Sequence, residues 1–306
     1  MSAPRRRLPV LDAAADVGCT RREFLRGTAA LAATAAVAGC SPEELLGKHF
    51  QELSPDQLAR RIRRIERDAS RRYGRTVAVS TAPARPGVVF GYGLDLSRCA
   101  GCRRCVYACV EENNASRGNP AVQWIKVLEL DKAHGVDLAH ATPYYGGEPV
   151  PRPGHFYMPA ACQQCRKPAC VKVCPAGATW KEPDGIVVVD YDWCIGCRCC
   201  MAACPYGARR FNWAQPEVPP EALNPTMHYL GNRPRRKSTV EKCTFCIQRV
   251  RDGRYPACVE VCPRGARKFG NLLDPGSEIR QIMDRKRVFI LKAELGTAPQ
   301  FYYFYG

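Results

Sequence analysis

The sequence predicts an α+β fold built on a repeated unit, and three observations predict it. Seventeen of the 19 cysteines fall between residues 99 and 262, in four short runs. Three of those runs end in the same words, Cys174-Pro-Ala-Gly-Ala, Cys204-Pro-Tyr-Gly-Ala and Cys262-Pro-Arg-Gly-Ala, which marks an internal duplication. The stretches between them hold short strand-like segments, and 25 Gly with 25 Pro imply many turns and irregular loops.

The chain opens with an address. Thr20-Arg21-Arg22-Glu23-Phe24-Leu25-Arg26 has the form of a twin-arginine export signal, with Arg21 and Arg22 as its pair. An Ala-rich stretch, residues 27–39, follows and is too short for a stable membrane span. Two processing sites compete. Ala36-Val37-Ala38 fits a signal peptidase, and Val37-Ala38-Gly39-Cys40 resembles a lipobox in which Cys40 is lipidated. Residues 1–39 are therefore read as the signal.

Residues 40–90 read as a helix and a linker. Ser54-Pro55-Asp56 is a helix start, Leu58, Ile62 and Ile65 keep helical spacing, and Gly74 ends the segment. Its other face carries Arg60, Arg61, Arg63, Arg64 and Arg67, read as solvated or as docking for a partner or anionic lipid. A short strand is expected before residue 93. Gln123 to Leu130 alternates like a strand, 131–155 reads as an inserted loop, and Ile186 to Val189 as a short buried strand. Residues 214–240 read as a Pro-rich insertion and Arg287 to Leu291 as a last strand, followed by the aromatic tail Phe301 to Tyr305.

Lys and Arg outnumber Asp and Glu by 46 to 29, a formal charge of +17. No nucleic-acid-binding motif accompanies that surplus, so nucleic acid is not expected as a partner. There is no Gly-rich nucleotide loop and no nucleophile–base signature, so no catalytic residues are assigned.

The four runs are Cys99, Cys102, Cys105, Cys109; Cys162, Cys165, Cys170, Cys174; Cys194, Cys197, Cys200, Cys204; and Cys243, Cys246, Cys258, Cys262. Three thiolates this close curl round three corners of one iron–sulfur cubane, while the fourth points to the other cluster of a pair. Zinc sites use two well-separated pairs and have no use for three ligands within seven residues. The runs therefore predict four [4Fe–4S] clusters. Each cluster with its thiolates carries about −2, so four would offset about eight of the surplus positive charges. Two-residue spacing selects Cys200 over Cys199, which is read as a small packed neighbour. Arg103, Arg104, Arg198 and Lys242, next to ligands, are candidates for tuning the clusters. The five histidines fit no ligand spacing; His155 is the nearest to a run.

Residues 93–306 resemble the four-cluster, ferredoxin-like electron-transfer subunits of complex iron–sulfur molybdoenzymes, such as dimethyl sulfoxide, polysulfide and tetrathionate reductases. The residues behind this are the Cys162-x-x-Cys165-x-x-x-x-Cys170 spacing, the eleven-residue gap from Cys246 to Cys258, and the ending Leu291-Lys-Ala-Glu-Leu-Gly-Thr-Ala-Pro-Gln-Phe-Tyr-Tyr. The resemblance implies one cluster on Cys99, Cys102, Cys105 and Cys262, and a second on Cys243, Cys246, Cys258 and Cys109. It implies a third on Cys162, Cys165, Cys170 and Cys204, and a fourth on Cys194, Cys197, Cys200 and Cys174. It further implies two bacterial-ferredoxin-like lobes, residues 155–214 inserted into a lobe made of 91–154 and 215–306. The implied partners are a molybdopterin-type catalytic subunit and a polysulfide-reductase-like integral membrane quinone subunit, at the outer face of the cytoplasmic membrane or in the periplasm. A freestanding exported polyferredoxin and the wire of a membrane-linked hydrogenase are the alternatives. Run one departs from the pattern, with Val110 in place of Pro after Cys109.

Overall fold

The computed structural model of the chain describes residues 9–10, 51–119, 121–144 and 148–306. The signal pair Arg21 and Arg22, and Cys40 with both processing sites, lie outside the described residues. The described residues fall into two units, divided between Ile65 and Glu66.

In the first unit, β1 (Pro9–Val10) pairs antiparallel with β2 (Gln51–Glu52). Helix α1 (Pro55–Tyr73) then starts with a capping box. The Gln57 amide donates to Ser54 Oγ at 3.2 Å, and the Ser54 amide donates to Gln57 Oε1 at 2.8 Å. Two orphan amides of the first turn are satisfied in this way.

In the second unit, Gly74 takes φ +64°, a left-handed turn that ends α1 at low steric cost. The chain continues through β3 (Ala78–Ser80), β4 (Phe90–Asp95), α2 (Arg104–Glu112), β5 (Lys126–Asp131), β6 (Thr142–Tyr144) and β7 (His155–Ala160). Next come α3 (Ala169–Lys172), β8 (Thr179–Lys181), β9 (Val187–Val189), α4 (Cys199–Ala202), β10 (Arg210–Phe211) and β11 (Thr226–His228). The last elements are β12 (Val240–Glu241), α5 (Ile247–Val250), α6 (Ala257–Glu260), β13 (Arg267–Asn271), α7 (Glu278–Arg285), β14 (Val288–Phe289) and β15 (Phe301–Phe304).

The main sheet has the order β13-β4-β15-β14; β15 runs parallel to β4 and the outer pairs are antiparallel. Its aromatic side chains make the core: Tyr92 stacks on Phe301 at 4.5 Å between ring centres, and Phe90 on Phe269 at 5.2 Å. Such pairs add roughly 0.5–1.5 kcal/mol beyond their buried area. The hairpin β8–β9 lies between runs two and three and buries Val187, Val188 and Val189. Helix α2 packs on α6, and α3 on α4, so the helices of runs one and four form one pair and those of runs two and three another.

Three expectations need correction. The aromatic tail is a buried strand of the main sheet, because a Phe-Tyr-Tyr-Phe segment with both faces covered has no polar alternation to reveal it. The Pro-rich insertion 214–240 is packed rather than loose. Its strand β11 pairs parallel with β3, and Met227, Asn232, Arg233 and Arg235 are all buried. The loop 131–155 contains β6, which pairs with β5.

Candidate metal centres

The four cysteine runs share one backbone device. The residue before the second cysteine of each run is left-handed: Gly101 (φ +72°), Gln164 (+44°), Gly196 (+73°) and Phe245 (+54°). That conformation costs any residue but Gly roughly 1–2 kcal/mol. At Gly101 a Cβ would strike the Tyr157 ring, and at Gly196 the Ser238 carbonyl oxygen. Gln164 carries a side chain there and is tethered: its Nε2 donates to Cys243 O at 2.7 Å and its Oε1 accepts from the Val187 amide at 2.8 Å.

The last cysteines of runs two, three and four also share a geometry. Each follows a short helix and donates its amide to the carbonyl three residues back, at 3.2 Å: Cys174 to Val171, Cys204 to Met201, Cys262 to Val259. Gly177, Gly207 and Gly265 then return a hydrogen bond to those cysteine carbonyls and take φ +59°, +54° and +58°. Cys109, without the Pro, lies inside α2 instead.

No described cysteine forms a disulfide. Cys99, Cys102, Cys105 and Cys262 line one recess, with Arg98 and Arg267. Cys109 has Cys246, Cys243, Cys258 and, more weakly, Cys105 as electrostatic thiol neighbours. Cys165 has Cys162, Cys170 and Cys204. Cys200 has Cys194 and Cys174, and Cys197 also has Cys174. We call these groups sets one to four. Thiols of different sets also interact electrostatically, in one succession: Cys105 with Cys258, Cys243 with Cys162, and Cys200 with Cys170. The sets thus follow one another in the order one, two, three, four.

Burial dominates the thiol electrostatics. It pushes Cys99 and Cys200 up to about 11 and Cys165 and Cys243 up to about 12. Cys109 and Cys246 are pushed well above the ordinary thiol range by the same cause. Such thiols stay protonated at neutral pH unless a metal takes the proton's place, which coordination does outright.

Donors converge on the sulfurs. Arg267 Nη2 donates to Cys105 Sγ and Arg209 Nη2 to Cys170 Sγ, each at 3.1 Å. Asn113 Nδ2 approaches Cys246 Sγ at 3.6 Å, the Phe245 amide approaches Cys243 Sγ at 3.4 Å, and the Tyr92 hydroxyl stands 3.3 Å from Cys258 Sγ. Nε and Nη1 of Arg209 are buried without a hydrogen-bond partner, and inorganic sulfide is an acceptor suited to both. The donor set, the thiol spacing and these orphan N–H groups fit an anionic cubane.

The cationic residues singled out from sequence are elsewhere. Arg104 and Arg198 are exposed, and Arg198 lies over the Phe211 and Trp213 rings. Arg103 is buried but donates to Gln123 Oε1. Lys242 is buried and donates to the Val187 and Cys243 carbonyls, next to a ligand but not on its sulfur. Cys199 is exposed rather than packed, at the first position of α4. His155 bonds within its own loop, to Arg152 and Pro153. Sequence reading missed Arg209, Arg267, Asn113 and Tyr92. The signal for the two arginines was present: the repeat runs on to Ala208-Arg209 and Ala266-Arg267.

The 4Fe-4S dicluster domain family matches residues 154–219 and 229–272. Over 217 residues the chain is 44% identical to a Halobacterium salinarum protein assigned as an iron–sulfur subunit of dimethyl sulfoxide reductase, covering 71% of this chain and 79% of that one. It is 39% identical to the iron–sulfur cluster-binding subunit of menaquinone reductase from Nitratidesulfovibrio vulgaris, over 71% of this chain and 88% of the relative. It is 33% identical to a tetrathionate reductase subunit of Salmonella typhimurium, over 69% and 70%.

Proposed function

Since the chain belongs to the family of iron–sulfur electron-transfer subunits of oxidoreductase complexes, we propose that it holds four [4Fe–4S] clusters in series. Through them it relays single electrons between a polysulfide-reductase-like membrane quinone subunit and a molybdopterin-type catalytic subunit. Set one is Cys99, Cys102, Cys105 and Cys262, and set two Cys243, Cys246, Cys258 and Cys109. Set three is Cys162, Cys165, Cys170 and Cys204, and set four Cys194, Cys197, Cys200 and Cys174. The observation that carries this reading is the succession of neighbouring thiols across the four sets. The packing of α2 on α6 and of α3 on α4 supports two lobes, with residues 155–214 inserted between 91–154 and 215–306.

A bound cluster supplies a centre that gains or loses one electron without changing its ligands. The protein's share is to hold the thiolates, exclude water and fix dipoles. Cys105, Cys109, Cys200, Cys246 and Cys258 are buried, whereas Cys102 of set one and Cys197 of set four are exposed. The two ends of the series therefore approach the surface, where a partner's redox centre can exchange electrons. Buried N–H donors are in place before the electron arrives, so little reorganises on transfer.

The twin-arginine pair Arg21 and Arg22 supports export of the folded protein with clusters in place, to the periplasm or the outer face of the cytoplasmic membrane. Among the described residues, no helix is long and apolar enough to cross a membrane. Attachment then falls to a partner or to lipid on Cys40. Purification from detergent-solubilised membranes tests this reading. We expect a complex containing a large molybdenum-bearing subunit and a polytopic membrane subunit. Recovery only as a soluble monomer would overturn it, and a nickel-bearing partner would point to a hydrogenase instead.

A further inference from the structure

We infer that Arg209 and Arg267 are a matched pair of tuning residues, one in each lobe, that raise the reduction potentials of the clusters they sit between. The inference rests on the four-cluster reading above. Both arginines stand five residues beyond the last cysteine of a run, after Cys204-Pro-Tyr-Gly-Ala and Cys262-Pro-Arg-Gly-Ala. The third repeat, Cys174-Pro-Ala-Gly-Ala, places Thr179 there instead.

The two sites correspond contact by contact. Each arginine is buried, with 3% and 4% of its surface exposed for Arg209 and Arg267. Each gives Nη2 to the third cysteine of the run that shares a cluster with its own: Arg267 to Cys105 in set one, Arg209 to Cys170 in set three, both at 3.1 Å. Towards the next set, Arg267 bonds the Tyr92 hydroxyl, which stands 3.3 Å from Cys258 Sγ of set two, and the buried Arg209 guanidinium interacts electrostatically with Cys200 of set four. Each is held by a neighbouring hydroxyl, Tyr92 at 2.8 Å from Arg267 Nη1 and Thr179 at 2.9 Å from Arg209 Nη2. No buried carboxylate is among their hydrogen-bond partners, so the thiolates and the clusters they carry are the counter-charge.

An electron arriving from the neighbouring cluster makes the receiving cluster one charge more negative, with no proton taken up and no bond broken. A fixed guanidinium beside it stabilises the reduced form more than the oxidised one, and burial keeps that difference from being screened. A guanidinium shared by two clusters also weakens their mutual repulsion when both are reduced.

The test uses the full-length protein prepared anaerobically, with iron and sulfide counted in every sample. Arg267→Gln is expected to lower one cluster's potential by at least tenfold in its reduction equilibrium, about 59 mV for one electron, and a second by less. Arg209→Gln should do the same to a different pair, and Arg→Lys at each site should recover part of the shift. Unchanged potentials with full iron content, or an equal fall in all four clusters, would overturn the inference. If the Gln variants lose iron, the unmodified protein labelled with [15N]arginine decides it. Magnetic coupling of 15N to the reduced clusters is expected, and its absence would sink the claim. Low iron in the unmodified protein would instead count against the four-cluster reading itself.

Discussion

The Tyr92 hydroxyl stands 3.3 Å from Cys258 Sγ while its oxygen accepts a hydrogen bond from Arg267 Nη1 at 2.8 Å. With that acceptor position taken, a Cys258 sulfur that binds iron and so carries no proton would accept the hydroxyl's hydrogen. Burial pushes Tyr92 well above the ordinary phenol range, so the donor proton is retained at any working pH. One side chain in the middle of β4 thus joins set one, through Arg267, to set two.

Tyr92→Phe should therefore lower the potential of the set-two cluster while leaving iron content intact. Taking about 1 kcal/mol for the hydrogen bond and about 59 mV per tenfold, the shift is about 40 mV. A redox titration followed by electron paramagnetic resonance reads it; an unmoved potential would remove Tyr92 from the tuning network.

Cys199 and Cys200 are adjacent but differ in burial, the first exposed and the second buried. Cys199→Ser should keep all clusters and their potentials, whereas Cys200→Ser should lose or convert one. Iron analysis with the resonance spectrum of each variant separates the two cysteines, and a loss of iron in the Cys199 variant would exchange their roles.

Gly196 and Gly207 both take positive φ, at +73° and +54°, yet only Gly196 has a backbone oxygen, that of Ser238, where a Cβ would go. Gly207→Ala should cost only the left-handed penalty, roughly 1–2 kcal/mol. Gly196→Ala should cost more and disturb set four. The thermal loss of cluster absorbance compares them, and equal midpoints would contradict this difference.

Arg251 makes two 2.9 Å ion pairs, with Glu182 and Asp184, all three side chains being buried. Burial holds Asp184 above the ordinary carboxylate range, and Arg251 opposes that rise. Because its folded pKa is raised, the Asp184 contribution is complete below the unfolded value and is lost as pH rises through the folded one. Arg251→Met removes the opposing charge and should cost about 3–5 kcal/mol near pH 7. The cost should shrink as pH falls below about 7, and a cost independent of pH would contradict this account. Denaturant melts across that range measure it.

The cysteine runs and the duplication behind them were readable because thiol ligation demands fixed spacing, whatever surrounds it. So was β9, whose three valines follow Ile186 to make an apolar residue at every position. The tuning residues were harder to see. Arg103, Arg104, Arg198 and Lys242 lie beside ligands in sequence, but their side chains go to Gln123, solvent, an aromatic pair and two carbonyls. Arg209 and Arg267 reach sulfurs 39 and 162 residues away, a relation created only when the chain folds. Strand β15 was hidden for a similar reason: its partner β4 is about two hundred residues earlier, and neither strand alternates in polarity.

The most direct measurement is the iron, acid-labile sulfide and zinc content of anaerobically purified protein. Four cubanes require about sixteen irons and about sixteen sulfides per chain, with no stoichiometric zinc. Zinc in place of iron, an absence of sulfide, or about eight irons in undamaged protein would contradict the four-cluster series.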